Sequence, residues 1–475
     1  MLNYKDLGFK AGLEVHQQLD TKKLFCDCPS LVNDPNKASI RIKRYLRAVV
    51  GETGEIDIAA RHEEAKKKYY VYEAAPTSSC LIEIDEEPPK TINQKALEIA
   101  VNVARLLHMS IVDEIQVMRK IVIDGSNTTG FQRTALIGRN GYVETAKGNV
   151  AIPTLLLEEE AAKKIDQNEE SVTYRLDRLG VALLEISTDA SLQDPEHVKE
   201  AASIIGMMLR SVGSMKRGIG SIRQDVNVSI KGGARTEIKG FQELKSIPRV
   251  IEQEIQRQLN EIKQGKTLKN EVRKAEPGFT TSFLRPLPGA ARLYPETDVV
   301  PIKIPESMLE AKLPNLLSDE IKQLQETYRI PKEFAEEAVK RKISLPSYFK
   351  EFKSLEPLFI ANTLIATPKE IKSRFGLDTK KLTHADFKEV LNFYEKKQIP
   401  KEAIIDILTK KLRNEKYSLT EFKTVSDAEI EKAIKLIIDE NKGASLGALM
   451  GIAMKRFRGK VEGKKVSEIL QKLLN

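Results

Sequence analysis

Residues 223–240 read RQDVNVSIKGGARTEIKG. The alternation is strict. Arg223, Asp225, Asn227 and Ser229 fall on one face of a strand, and Val226, Val228 and Ile230 on the other. Beyond the glycines, Arg235, Glu237 and Lys239 alternate with Thr236 and Ile238. A two-residue Gly-Gly loop would pair Asn227 with Ile238 and Val226 with Lys239, mixing polar with apolar. A three-residue loop, Lys231–Gly233, pairs Asn227 with Glu237, Asp225 with Lys239 and Val226 with Ile238. A slip of one residue exchanges the faces, so the odd loop is expected, with Gly233 in the left-handed conformation. The prediction is an antiparallel hairpin with one polar face rich in Arg, Asp, Asn, Glu and Lys. Solvent exposure explains such a face, and so does a site for a metal-bound phosphate.

Other segments repeat this pattern. In GLEVHQQLDTKKLFCDCP (12–29), Leu13 and Val15 point one way, and Glu14 and His16 the other. In VALLEIS, Glu185 shares a strand face with Val181 and Leu183, a costly place for an ionised carboxylate unless a metal, a cation or a strand end compensates. In TLLLEEEAAKK, Glu158, Glu159 and Glu160 follow an apolar run. They suit the acidic first turn of a helix or a set of site carboxylates. Several acids, one His and several cations on sheet faces suit Mg²⁺-dependent phosphoryl transfer, since Mg²⁺ takes hard oxygen ligands and Lys or Arg offsets phosphate charge.

Up to about residue 300, strand-like runs alternate in blocks with amphipathic helices such as KTINQKALEIAVNVARLLHM and DPEHVKEAASIIGMMLRSVG, the latter with Asp194 as cap and Pro195 at its first position. Blocks of this kind predict an α+β fold with a largely antiparallel sheet rather than a doubly wound one. A Pro-rich stretch, RPLPGAARLYPETDVVPIKIPE (285–306), reads as a linker or an ordered segment packed on the first domain. From Ser307 onward the pattern is helical, with a boundary at Pro400. The expected domains are 1–305, 306–400 and 401–475. The last carries a basic run, Lys455, Arg456, Arg458, Lys460, Lys464 and Lys465, which suits either phosphate contacts or a solvated face.

The 475 residues are 41% hydrophobic and 31% charged, as in a folded, soluble protein, and the net charge of +9 invites a polyanion. Acidic residues number 68 against 77 basic, so any nucleic-acid footprint is expected to be local. No apolar run is long enough to span a membrane. No signal-peptide pattern opens the chain, and a cytoplasmic location is expected. The three cysteines, Cys26, Cys28 and Cys80, offer at most three soft ligands where a structural zinc normally takes four; a zinc site and a plain thiol pair both stay open. No G-x-x-x-x-G-K-[ST] loop, dinucleotide fingerprint or G-x-S-x-G elbow is present.

Six motifs in order (GLEVHQQLDTKKLFCDCP, MRKIVIDGSNTTGFQRT, TYRLDRLGVALLEIST, KRGIGSIRQDVNVSI with GGARTEIKGFQEL, RPLPGAARLYPETD and LMGIAMKRFRGK) resemble the archaeal GatE family of glutamyl-tRNA(Gln) amidotransferases, and more loosely its bacterial-type relative GatB. In GatE an aspartyl-tRNA-synthetase-like domain is usually inserted before VRKA; here QLNEIKQGKTLKNEVRKAEPG runs on directly, so the insertion is missing. The resemblance implies a cradle-like kinase domain followed by helical and tail domains. It implies ATP- and Mg²⁺-dependent phosphorylation of the γ-carboxylate of Glu-tRNA(Gln), then displacement of phosphate by ammonia. The ammonia would come from an asparaginase-like partner, GatD, in a heterotetramer of two GatD and two GatE chains. The implied metal and catalytic residues are Glu14, His16, Glu159 and Glu185, with Glu158 nearby and His16, Glu159 and Glu185 expected as the tightest group. A second ion such as Mn²⁺ is open. Arg119, Lys120, Ser126, Asn127, Arg223, Asp225, Asn227, Glu237 and Lys239 are implied for ATP or acceptor-end binding, and the basic tail for tRNA.

Overall fold

The computed structural model describes residues 1–475 apart from Met1, Pro35, 52–53, Gln242, 290–291, 423–426, Lys442, 458–462 and Asn475, and apart from the side chains of 427, 428, 464 and 465. The chain divides into two compact units, Met1–Leu316 and Leu317–Asn475.

An eleven-stranded sheet organises the first unit. Ten of its strands are β1 (Lys10–Gln18), β2 (Val117–Ile121), β3 (Phe131–Thr145), β4 (Gly148–Glu159), β5 (Ala182–Ser187), β6 (Ile222–Ser229), β7 (Thr236–Lys239), β8 (Glu271–Ala275), β9 (Thr281–Pro286) and β10 (Leu293–Pro295). They lie side by side in the order β9-β8-β7-β6-β1-β5-β4-β3-β2-β10, and the short strand Ser110–Ile111 pairs with β3. Every neighbour on this path is antiparallel except β7 and β8. The mixed α+β architecture and the mostly antiparallel sheet expected from the alternation are both present.

The β6–β7 hairpin has the expected register: Asn227 opposite Glu237 and Val226 opposite Ile238. The glycine assignment needs correction. Gly232, with φ +76°, takes the left-handed conformation. Gly233 is required for a different reason: a Cβ there would lie 2.2 Å from Gln258 Oε1.

One sheet face is apolar and covered. Leu13, Val15, Leu184, Ile186, Val226 and Val228 pack with Leu97, Val101, Ile205 and Ile251. Those partners belong to helices α1 (Gln94–Leu106), α2 (Pro195–Val212) and α3 (Ile247–Lys263). Burying each such side chain stabilises by roughly 1.5–3 kcal/mol, so a slipped register would expose many of them at once. Asn93 caps α1 through the backbone N–H groups of Lys95 and Ala96, and Asp194 caps α2 ahead of Pro195.

The described part of the Pro-rich stretch carries the end of β9 and all of β10, which lie at opposite ends of the strand order. The link between Pro286 and Leu293 reaches at most about 25 Å. Ten flat strands would separate their edges by roughly 43 Å. The sheet therefore curls until its ends approach, with the polar face inside. A smaller four-stranded sheet (Ile40–Arg44, Tyr69–Ala74, Lys163–Gln167, Ser171–Arg175) has its own core around Tyr70, Tyr72 and Tyr174.

The second unit is helical throughout its described residues, from Leu317–Tyr328 to Gly463–Leu474. Near its end, Ile430, Ile434, Leu449, Val466 and Leu470 form a separate small core. No helix among the described residues is long and apolar enough to cross a membrane.

Candidate active site on the open face of the sheet

Alternation sends every second residue of the central strands into the curl. Three cross-strand rows result. In the first, Glu14 lies between Asp225 and Ser187. In the second, His16 lies between Arg223 and Glu185. In the third, Glu158 lies between Leu183 and Thr134. Lys120 comes in from β2, beside Gln132. Glu14, His16, Glu158, Lys120, Gln132, Leu183, Glu185, Arg223 and Asp225, with Glu160, Glu237 and Lys239, line a cleft of 920 Å³.

The charges interlock. Lys120 Nζ lies 2.6 Å from Glu158 and 3.3 Å from Glu185. His16 Nε2 lies 3.3 Å from Glu185. Lys239 bridges Asp225 and Glu237, at 2.5 Å from each. Arg223 grips Glu160 with two nitrogens, at 2.9 and 3.0 Å, and Gln18 donates to the same carboxylate. Asn227 donates to Glu14 at 3.0 Å.

These neighbours push the carboxylates apart. Burial alone would raise Glu185, but Lys120 and then His16 outweigh it and hold the group well below the ordinary carboxylate range. Glu158 is raised because burial exceeds the opposing pull of Lys120. Glu14 is raised by burial and by Glu237. Burial disfavours the His16 cation, yet the hydrogen bond and charge of Glu185 leave its pKa raised.

One ligand atom each from Glu14, His16 and Glu185 falls within a 4.8 Å group, and so does one each from Glu14, Asp225 and Glu237. His16 Nδ1 is buried without a hydrogen-bond partner, since Asp225 at 4.0 Å is too distant to serve. A buried orphan nitrogen among carboxylates fits a divalent cation. Glu14, His16 and Glu185 would hold it.

Glu159 is not in this group. It points to the sheet face opposite Glu158, where Arg133 Nη1 lies 3.4 Å away and Arg133 also pairs with Glu296 at 2.8 Å. Of the residues expected at the metal, Glu14, His16 and Glu185 come together, while Glu159 lies on the other sheet face. Arg119 is likewise turned away, held by Glu296 and Asp298. Ser126 is tied to Asp124, and Asn127 is buried near Glu159 rather than in the cleft. Lys120, Arg223, Asp225, Glu237 and Lys239 do face the cleft, and Asn227 lies at its end beside Glu14. Glu160, Arg285 and Arg292 face it too, although sequence reasoning did not assign them there. Glu160 was recoverable, having the same parity as Glu158. In the tail, Lys455 and Arg456 are exposed; Arg458 and Lys460 lie outside the described residues, as does the side chain of Lys464.

Residues 9–310 match the model of the GatB/GatE catalytic domain, and residues 347–474 that of the GatB domain. The chain belongs to the GatB/GatE family. The glutamyl-tRNA(Gln) amidotransferase GatE of Archaeoglobus fulgidus is 35% identical over 617 aligned positions, covering 100% of this chain and 99% of the relative. GatE of Methanosarcina acetivorans is 35% identical over 623 positions (99% and 98%), and that of Methanocaldococcus jannaschii 35% over 632 (100% and 99%). Each alignment is longer than the 475 residues of this chain, so these GatB/GatE relatives contain a long stretch without a counterpart here.

The division of acids between the two sheet faces leads to a prediction. In this GatB/GatE chain, Glu185→Gln is expected to weaken Mn²⁺ binding about tenfold or more, while Glu159→Gln leaves it within about twofold. Calorimetric titration of both variants tests the assignment. Equal losses would return Glu159 to the site.

Proposed function

We propose that this chain is the kinase and transamidase component of a tRNA-dependent amidotransferase, a ligase that converts Glu-tRNA(Gln) to Gln-tRNA(Gln). The supporting observation is the convergence of Glu14, His16 and Glu185, with Glu185 beside Nε2 of a His16 ring whose buried Nδ1 has no hydrogen-bond partner. In the first step an oxygen of the glutamate γ-carboxylate bonds to the γ-phosphorus of ATP, and the bond to ADP breaks. In the second, ammonia attacks the acyl carbon, phosphate leaves and the nitrogen sheds a proton. A carboxylate resists nucleophiles, whereas an acyl phosphate has a good leaving group.

The residues of the cleft suit these steps. Mg²⁺, held by Glu14, His16 and Glu185, supplies positive charge to the phosphoryl oxygens when bound. Lys120 and Arg223 are engaged by Glu158, Glu185 and Glu160, so their charge mainly holds the acidic floor together. Arg285 and Arg292 reach the same cleft and make no ion pair among the described residues. With Arg235, which lines the cleft and bonds Asn227 Oδ1, they are cations of the cleft outside the described ion pairs and can meet ATP phosphates. Lys239, raised well above its ordinary range by Asp225 and Glu237 against the effect of burial, stays charged in the cleft, where it suits ATP or the acceptor end.

In this reading residues 1–305 form the cradle-shaped kinase domain, 306–400 a helical domain and 401–475 a tRNA-binding tail. An asparaginase-like GatD partner supplies ammonia in a cytoplasmic heterotetramer of two GatD and two GatE chains.

The test uses the purified chain with Glu-tRNA(Gln), ATP, Mg²⁺ and ammonium chloride, with the product digested to aminoacyl-adenosine. ATP-dependent glutamine supports the reading. Intact tRNA binding with neither glutamine nor tRNA-stimulated ATP hydrolysis would make the chain a binding scaffold. For the tail, neutralising Lys455, Arg456 and Arg458 together is expected to weaken tRNA binding and to flatten the slope of log K against log[salt] by about 2–3. An unchanged slope removes the tail from the interface.

A further inference from the structure

A smaller cavity of 60 Å³ adjoins the cleft: Arg285, Arg292 and Val122 line both, and Asp57 lines the smaller one. The Asp57 carboxylate is buried and divides its oxygens between two tasks. Oδ1 accepts from the N–H groups of Ala59 and Ala60, at 3.0 Å each, and so caps the short helix Ile58–Glu64. Oδ2 accepts from Gly289 N at 2.7 Å. Gly289 lies midway along the link between β9 and β10, with Arg285 before it and Arg292 after it. That link has few other restraints. Pro286 and Pro288 have no N–H to donate. Leu287 N reaches Asn270 O at 3.5 Å, a stretched bond, and Arg292 O accepts from Ile121 N at 2.8 Å at the far end. Among the described residues, Asp57 is the side chain that ties down the middle of the link. The helix it caps is itself fixed: Ala60 packs with Ile121 and Ile123, and Ile121 ends β2, the strand that delivers Lys120.

We infer that Asp57 is a positioning residue for the two arginines: it registers the segment that carries Arg285 and Arg292 against the strand that carries Lys120, and so aims the cations that meet the phosphates of ATP. This rests on the reading of the cleft as the ATP site. An arginine gives a phosphate two parallel hydrogen bonds only from a fixed orientation. Side chains on a loop hold that orientation when their backbone is tied before the ligand arrives. With the tie cut, the ordering falls to ATP binding and is subtracted from affinity. The charge of Asp57 acts in the opposite direction. A carboxylate lining the same cavity as both arginines offsets part of their field, so on Coulomb grounds alone its neutralisation tightens phosphate binding. The sign of the change therefore separates positioning from field.

The experiment is titration of the full chain with MgATP, on wild type, Asp57→Asn, the double variant Arg285→Ala with Arg292→Ala, and the triple variant. Asparagine keeps the volume and a cap acceptor for Ala59 and Ala60, while its amide cannot accept from Gly289. Asp57→Asn is expected to weaken ATP binding about tenfold. The KM for ATP should rise by a similar factor, with the KM for Glu-tRNA(Gln) and the melting temperature near wild type. Without the arginines the same substitution should change ATP affinity by less than about twofold, because nothing is left to position. If the asparagine variant fails to fold, Asp57→Ser replaces it, since a hydroxyl caps the helix and is too short to reach Gly289 as well. Tighter ATP binding on neutralising Asp57 would overturn the inference. So would equal losses with and without the arginines, the outcome of a merely structural role. Unchanged ATP affinity in the double arginine variant would overturn the phosphate reading and the inference with it. A large loss there beside an unaffected Asp57→Asn would overturn the inference alone.

Discussion

His16→Ala is expected to cut ATP-dependent glutamine formation by at least about 10²–10³-fold while tRNA affinity stays within a few-fold. The ring is the centre of the polar face: Nε2 lies 3.3 Å from Glu185, and the buried Nδ1 has no hydrogen-bond partner. An orphaned buried polar atom costs about 1–3 kcal/mol, a cost that a ligand at Nδ1 would relieve. Alanine removes the nitrogen and leaves Glu185 with Lys120 alone. Loss of activity through misfolding must be separated from loss of the donor. His16→Gln does this, because its amide can donate to Glu185 and fill much of the ring's volume. Circular dichroism and melting temperature of His16→Gln should match wild type while glutamine formation stays low. Activity within tenfold of wild type in the folded His16→Gln protein would reduce the ring to a spacer.

How much of this was legible in the sequence depends on whether a feature is local. The register of the 223–240 hairpin follows from alternation alone, because a slip would turn Asp225 onto the apolar face and Val226 onto the polar one. The role of Gly233 does not, since the atom that excludes a side chain there, Gln258 Oε1, comes from α3. Glu159 illustrates information present but outweighed. In TLLLEEE, period two separates Glu158 from Glu159 if the strand continues through both, and β4 does end at Glu159. Three consecutive acids equally suit a helix start, so parity alone does not decide the face. Convergence was not legible at all. Lys120, His16 and Glu158 meet because the sheet curls, and the curl is imposed by a short link between its edge strands.

Lys120→Met is expected to destabilise the chain by about 3–5 kcal/mol, with most of that recovered in the double variant Lys120→Met, Glu158→Gln. Lys120 and Glu158 are both buried, and Lys120 is the cation within ion-pair distance of Glu158 among the described residues. Thr134 Oγ1, at 3.2 Å, is its other side-chain partner. Methionine fills a similar volume, so packing changes little and the loss reads the uncompensated acid. The attraction of a buried ion pair roughly repays its desolvation, which is why removing both charges costs far less than removing one. Glu158, already raised by burial, would respond by taking up a proton. The single variant should therefore bind an extra proton on folding near neutral pH and lose further stability as pH rises through the new, higher pKa. Urea denaturation of the four members of the cycle at pH 6 and pH 8 measures all of this. Equal destabilisation of the single and double variants would mean that Lys120 acts through packing or through Glu185 rather than through Glu158.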